Sequence, residues 1–438
     1  MHRTLILALA PALALAQPAK LSLKQAVEIA LALDGNTRVQ LAGELVRQSH
    51  ARSAEARSAL LPNLDGQFAY QSQTRNLEAF GLQIKLPPAL GILIPTFVGP
   101  FTTIDARLSA TQTVFDFSSI RRYQASRVGI RAAESDSASA RDQISAQVAT
   151  LYMAALAAQA HVDAAQADVD LSQALARLAD NRKSAGTGTG IEVTRALVQL
   201  ANDRQRLLVA RNERRQAQLQ LLRAMGVNLD TDFDLTGQLE YTPSEALTAK
   251  QATDLALAAR ADWKAQQTRE QSLRLSYSAT KFERLPSLAS FADYGSSGLG
   301  FNNSVPTRTY GIALRVPIFD GGRRDAERSD SASQLRQESI RTADLRAQIE
   351  LEIRLALDSL KSSEDQVQVA REGLEQAERE TAQAQRRYEA GVASSLEPTD
   401  AQTRLARARD NRIAALLGYN VARINLAQAM GAIRQILQ

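Results

Sequence analysis

Residues 321 to 389 carry one uninterrupted heptad pattern, and the element it encodes is too long for any compact domain. Ile349, Ile353, Ala356, Leu360, Ser363, Val367, Ala370, Leu374, Ala377, Thr381, Ala384 and Tyr388 follow one another at alternating steps of four and three. That spacing is a coiled-coil seam, here built mostly of small and aliphatic residues. No proline falls between Pro317 and Pro398. At 1.5 Å per residue the predicted helix is roughly 100 Å long, against ~11 to 12 residues for an average globular helix. Other helices must cover it along its length.

The chain contains the same object twice. Ile144, Val148, Leu151, Ala155, Ala158, Val162, Ala165 and Val169 repeat the alternation on a helix predicted over 117–184. Ala185-Gly186 aligns with Ala390-Gly391, Glu192 with Glu397, and Ala224-Met225-Gly226 with Ala429-Met430-Gly431, all at one offset. Leu61-Pro62-Asn63-Leu64 likewise matches Leu285-Pro286-Ser287-Leu288, and Leu21 to Ala26 matches Leu247 to Ala252. The organisation predicted is therefore a duplication. A signal peptide occupies 1–16, a first repeat 17–226, a linker 227–246 and a second repeat 247–438.

Within each repeat the order is short helix, helix, hairpin of two strands, very long helix, turn and return helix. The first helix is predicted over 21–33 and the second over 37–60, ended by Pro62. From residue 63 the periodicity switches to two: Leu64, Gly66, Phe68, Tyr70 and Ser72 share one face, and Asp65, Gln67, Ala69, Gln71 and Gln73 the other. The hairpins span 63–115 and 286–317, with strands of nine to eleven residues. Residues 76 to 101 read as an irregular apolar loop, because four prolines forbid a helix there. The long helices cover 117–184 and 321–389, and the return helices 190–226 and 395–431.

Several classes of function are excluded early. The chain has no cysteine, so it has no disulfide, no thiol chemistry and no lipid-anchored N-terminal Cys. His2, His50 and His161 are scattered and suggest no metal site. A net charge of +5 on 438 residues, with no basic cluster interleaved with aromatics, gives no sign of nucleic acid. No cofactor loop is present either, since Gly186-Thr187-Gly188-Thr189-Gly190 is not followed by Lys-Ser/Thr. No nucleophile and base pair that would mark an enzyme is legible. Arg3, the apolar run from Leu5 to Leu9 and Ala14-Leu15-Ala16 predict cleavage after Ala16 and export.

An exported chain that lacks about 20 consecutive apolar residues can cross a bilayer only as strands. Strands that alternate apolar with polar have lipid on one side and water on the other. Four strands per chain cannot close, and an open edge in lipid leaves unpaired N–H and C=O groups costing several kcal/mol each. Oligomerisation must close the sheet. Two copies give eight strands, whose interior is filled by side chains, whereas three give twelve strands and a lumen of roughly 25 to 30 Å.

Together with the Leu-Pro-flanked hairpins, the tip sequence Tyr388-Glu389-Ala390-Gly391-Val392-Ala393-Ser394-Ser395-Leu396-Glu397-Pro398-Thr399-Asp400-Ala401 resembles that of the TolC-type outer membrane efflux proteins, the outer membrane factor family. The resemblance spans essentially the whole exported chain. It implies a mainly α protein with a membrane β-barrel: a trimeric channel-tunnel of 12 strands, four per chain, continuing into a long α-helical barrel. The implied setting is the outer membrane with a large periplasmic part. The implied partners are a periplasmic adaptor and an inner-membrane pump of RND, ABC or MFS type. The function implied is a passive exit duct for small molecules in a tripartite system. Alternatives are the duct of a type I protein secretion system and a periplasmic coiled-coil structural protein.

By the same resemblance, Gly186, Thr187, Gly188 and Thr189 of the first tip, with Gly391, Val392, Ala393, Ser394 and Ser395 of the second, form the adaptor-docking tips. Glu397 and Asp400, one turn apart, would form an acidic ring at the periplasmic entrance, with Tyr388, Glu192 and Arg195 nearby. Both acids also suit a helix N-terminus, and Ser394 with Glu397, like Thr189 with Glu192, has capping-box spacing. The family's tip often carries Arg where this chain has Ala393, and the first-copy counterpart of Asp400 is Arg195. The family's ion-pair latch therefore has no direct counterpart in these residues.

Overall fold

The computed structural model describes residues 19–32, 35–81, 96–243 and 247–436. The predicted signal segment and most of the apolar loop lie outside the described residues. In chain order the elements are β1 (Ala19–Leu21), α1 (Leu23–Leu31), α2 (Thr37–Ser58), β2 (Asn63–Asn76), β3 (Phe97–Phe115), α3 (Phe117–Ser184), α4 (Gly190–Met225), β4 (Phe233–Leu235), α5 (Ala249–Ala259), α6 (Ala261–Phe282), β5 (Ser287–Gly298), β6 (Ser304–Arg315), α7 (Arg323–Glu389), α8 (Leu396–Ala429) and α9 (Ile433–Ile436). The chain is mainly helical. It divides into two compact units, one of residues 46–133 and 266–342, the other of residues 1–45, 134–265 and 343–438.

The first of these units holds a four-stranded antiparallel sheet in the order β2-β3-β5-β6. Each hairpin pairs its own strands, and β3 pairs with β5 to join the two repeats, as in Arg107 opposite Gly295 and Ser109 opposite Asp293. Strands β2 and β6 are the edges. One face presents Leu64, Phe68, Tyr70, Leu108, Tyr294, Tyr310, Ile312 and Leu314, nearly all of them exposed large apolar side chains. A monomeric soluble sheet rarely leaves such a face uncovered. The opposite face carries Asp65, Gln67, Gln71, Asp105, Arg107 and Asp293, where Arg107 donates to Asp105 at 3.0 Å and to Asp293 at 3.0 Å.

The strands are longer than the nine to eleven residues read from the sequence, at 14, 19, 12 and 12. In the first hairpin the reason is a bulge between Gln73 and Arg75, beyond which pairing resumes as far as Asn76 opposite Phe97. A bulge adds a residue to one strand without ending the ladder, so alternation breaks in the sequence while the hydrogen bonds continue. The loop read as 76–101 is shortened from both sides.

In the other unit the predicted seam is the buried line of α7. Ile349 and Ile353 are fully covered, and Leu360, Ser363, Leu374, Ala377, Thr381, Ala384 and Tyr388 are buried in turn. Each short helix packs on the long pair of its own repeat. Ala26, Val27 and Ala30 of α1 lie against Ile144, Val148 and Tyr152 of α3, while Ala252 and Ala256 of α5 lie against Ile349 and Ile353 of α7. The duplication is visible in the core itself.

Three boundaries are corrected. The sequence placed a helix from Leu21, but residues 19–21 form β1, which pairs in parallel with β4 inside the segment read as a linker. Ser22 then caps α1 with a capping box to Gln25. The second long helix starts at Arg323 and not at 321, because Gly321 and Gly322 have φ of 69° and 86°. Positive φ is outside the α region and costs little only for glycine. The last return helix is Leu396–Ala429, and Gly431 at φ 71° follows its end.

The two return helices finish alike. In the first repeat Asn36 Nδ2 donates to the Ala224 carbonyl at 2.8 Å. In the second, Arg260 Nη1 donates to the Ala429 carbonyl at 3.1 Å, and the same guanidinium pairs with Asp262 at 2.7 Å and Glu352 at 2.6 Å. Both contacts satisfy helix-end carbonyls that have no intrahelical partner.

Candidate functional site: the two helical tips

The tip between α3 and α4 and the tip between α7 and α8 are built by the same backbone device. Gly186 and Gly391 each sit at φ 76° directly past a long helix. The following amide closes a six-to-one bond, from Thr187 N–H to the Arg182 carbonyl at 2.9 Å and from Val392 N–H to the Arg387 carbonyl at 3.1 Å. This is a Schellman ending, and it reverses the chain in few residues.

Beyond that point the tips differ. Thr189 and Glu192 form the predicted capping box, with Thr189 N–H donating to Glu192 Oε2 at 3.0 Å. The equivalent box of Ser394 and Glu397 does not form. The residue before α8 is Ser395, in αR geometry with no side-chain cap bond. Glu397 instead pairs with Arg387 across the turn at 3.0 Å. A guanidinium within reach outcompetes a single backbone amide for a carboxylate, since the bond is charge-assisted at both ends.

Tyr388 is buried, 2% exposed, and Arg182 binds it in two ways. Arg182 Nη1 donates to the Tyr388 carbonyl at 2.7 Å, and its guanidinium carbon lies 4.5 Å from the ring centroid. This stacked cation ties the first tip to the second. Burial, with the Glu192 carboxylate adding to it, pushes the Tyr388 phenol up, against the pull of Arg182. Of the predicted residues, Tyr388 and Glu192 are thus brought together and Glu397 lies across its own turn. Asp400 and Arg195 are exposed, with no hydrogen bond or ion pair of their own among the described residues.

Among the docking residues, Gly186, Thr187, Thr189, Gly391, Val392 and Ser394 are exposed, with Val392 at 68%, and Gly188 and Ala393 are half-buried. Ser395 departs from the expectation. It is buried in this chain, with its hydroxyl unpaired.

Sequence reasoning missed Arg182 and Arg387. Their offset is that of Gly186 and Gly391, so both stand four residues before the tip glycine and the repeat alignment pointed to them. It also missed a buried polar layer further along the same helices. Asp203 of α4 accepts from Ser172 of α3, from Arg206 and Gln199 on its own helix, and from Gln402 of α8, the last at 2.9 Å. Arg409 of α8 meets Asp168 of α3 at 2.6 Å. Burial pushes the Asp168 carboxyl up, and the guanidinium groups of Arg409 and Arg206 oppose it. The layer holds α8 to both helices of the first repeat.

Among the described residues no cluster of three or more His, Asp or Glu could hold a metal ion, and no helix is long and apolar enough to cross a membrane. Duplicated helical hairpins with ordered turns, joined in sequence to an antiparallel sheet with one exposed apolar face, are the features of an outer membrane channel protein. The outer membrane efflux protein model matches residues 29–227 and 252–432, and the chain belongs to that family. The family resemblance read from the tip and the duplication is borne out.

Among its relatives is the pyoverdine export outer membrane protein OpmQ of Pseudomonas aeruginosa, 27% identical over 399 residues, covering 88% of this chain and 80% of that one. The Pseudomonas putida protein of the same name is 25% identical over 423 residues, covering 93% and 85%. The solved outer-membrane channel OprN superposes with a TM-score of 0.79 at 16% identity, over 94% of this chain and 90% of that one. The Campylobacter jejuni CmeC outer membrane channel gives 0.78 at 18% identity, over 94% and 86%. At those identities the structures speak for the fold.

Proposed function

We propose that the chain is the outer-membrane channel-tunnel of a tripartite efflux system, a passive exit duct for small molecules. Three copies would close twelve strands into a barrel, with the helical hairpins continuing it as a periplasmic tunnel. The observation that carries this reading is the sheet, which is apolar on one face, polar and charged on the other, and open at β2 and β6. In a bilayer that combination is tolerable only as part of a closed ring with water inside.

The tips dock a periplasmic adaptor through their exposed residues Gly186, Thr187, Thr189, Gly391, Val392 and Ser394, and the adaptor links them to an inner-membrane pump of RND, ABC or MFS type. Glu397 and Asp400 line the entrance, six carboxylates in a trimer, with Tyr388, Glu192 and Arg195 around them. A small-molecule cargo is preferred over a secreted protein because the curated relatives are named for export of pyoverdine.

Planar-bilayer recording of the purified chain tests the duct directly. Discrete, ohmic single-channel steps are the expected result. A monodisperse monomer that neither inserts nor conducts would overturn the reading.

A further inference from the structure

The apolar face of the sheet does not stop where the ladder stops. The last pair of the second hairpin is Ser287 with Arg315, yet the alternation of β6 continues through Val316 to Ile318 on the face of Ile312 and Leu314. Ile318 is 94% exposed and the adjacent Phe319 is 89% exposed, more than any other large apolar side chain described. At the ends of the neighbouring elements Phe115 packs edge-on against Phe117 at 4.5 Å, and Phe117 lies 5.7 Å from Phe282. Aromatic and aliphatic side chains thus form a collar where strands give way to helices.

The same collar is basic. Segments 114–124, 277–286 and 316–325 contain six basic residues and four acids. Every acid is already engaged. Asp116 accepts from the backbone of Ser118 and Ser119, Glu283 pairs with Arg122, Asp325 with Arg284, and Asp320 with Arg324 at 2.8 Å. Arg323 turns to Glu327 at 2.6 Å. That leaves Arg121 and Lys281 with no carboxylate partner among the described residues. Both flank Phe282: Lys281 precedes it, and the Arg121 guanidinium stands 5.8 Å from its ring. Arg121 also donates to Gln124 at 2.8 Å, and the Lys281 ammonium lies 5.8 Å from the Tyr277 ring, so both cations stand among aromatic rings, a pairing found at membrane interfaces.

We propose that this collar binds the anionic headgroups of phospholipid, with Ile318 and Phe319 entering the acyl boundary while Arg121 and Lys281 contact the phosphates. It rests on the reading that the sheet spans a membrane. The chemistry is complementary at both levels, since two cations without a carboxylate partner meet an anionic surface directly beneath the band of exposed apolar side chains. Free phosphate would satisfy the cations but leave Ile318 and Phe319 in water, so a lipid is the occupant that uses the whole collar.

The test is quenching in vesicles. The full chain carrying Phe319→Trp is reconstituted into phosphatidylcholine vesicles containing either acyl-brominated phosphatidylglycerol or acyl-brominated phosphatidylcholine at equal mole fraction. The parent chain, measured in parallel, supplies the background from Trp263. Stronger quenching by the anionic lipid is expected, and this preference falls by about fivefold for each cation removed in Arg121→Gln and Lys281→Gln. Suppression of the preference by added inorganic phosphate would show that the cations bind the free ion as well as lipid, and would overturn the claim of a lipid site. Equal quenching by both lipids would overturn the headgroup site while leaving membrane insertion intact. Quenching by neither would remove the membrane reading and the collar proposal together.

Discussion

Asp400 is the residue at the second tip whose chemistry is least accounted for by folding. It lies at the start of α8, exposed, while Glu397 one turn earlier is held by Arg387. An exposed carboxylate with no partner contributes little to stability, so its removal changes folding by no more than about 0.5 kcal/mol. In the proposed trimer its charge would still act on ions crossing the entrance. Asp400→Ala is therefore expected to weaken block by divalent cations on the order of tenfold in planar bilayers and to raise single-channel conductance. Traces indistinguishable from the parent would reject a gating role. The sequence named Asp400 and Glu397 from the tip motif but could not tell them apart, because the difference lies in Arg387, which reaches Glu397 across the turn. The burial of Ser395 was likewise not legible, since it lies in a turn whose backbone geometry no pattern of hydrophobicity encodes.

At the level of elements, the joint between α5 and α6 shows how one side chain fastens several pieces. Arg260 ends α5, donates to the Ala429 carbonyl at the end of α8 and pairs with Asp262 of α6 and Glu352 of α7. Burial works to raise the Asp262 carboxyl, but the hydrogen bond and charge of Arg260 prevail and hold it below the usual carboxylate range. A carboxylate whose folded-state pKa is depressed stabilises the fold above its unfolded value, and that contribution is lost as pH falls through the folded value. Arg260→Met should destabilise the chain by about 1 to 3 kcal/mol at pH 7, the scale of charge-assisted hydrogen bonds at a partly exposed site. The gap between variant and parent should narrow below about pH 4 as Asp262 takes up its proton. Thermal melts followed by helical circular dichroism at both pH values would show this, and a pH-independent gap would refute it. The helices themselves were readable in the sequence because a heptad seam needs only spacing. The β1 to β4 pairing was not, since three residues carry no period and their partner lies more than 200 positions away.

For the molecule as a whole, the decisive feature is what the sheet leaves unfinished. Among the described residues β2 and β6 each have one side without a neighbour, and both strands carry the apolar and polar faces of the interior ones. Natural sheets protect such edges with charge, proline or a covering element; β6 has Pro306, Arg308 and Arg315 toward its ends, but its middle, Tyr310-Gly311-Ile312-Ala313-Leu314, carries none of these. In the proposed assembly that stretch is paired with β2 of another copy, which carries the same two faces. Alternate N–H groups of β6 point toward β5 or away from it. Of Gly311→Pro and Ile312→Pro, one therefore breaks the hairpin and the other removes a donor only from the free edge. The edge-directed substitution is expected to abolish the heat-modifiable oligomer on gels of outer-membrane fractions, while the helical circular dichroism of the purified chain is retained. Its neighbour should disturb the hairpin itself and lower the yield of folded protein. If both variants migrated as the parent oligomer, subunits would be associating through something other than the β6 edge, and closure of the barrel by β2 to β6 pairing would have to be abandoned.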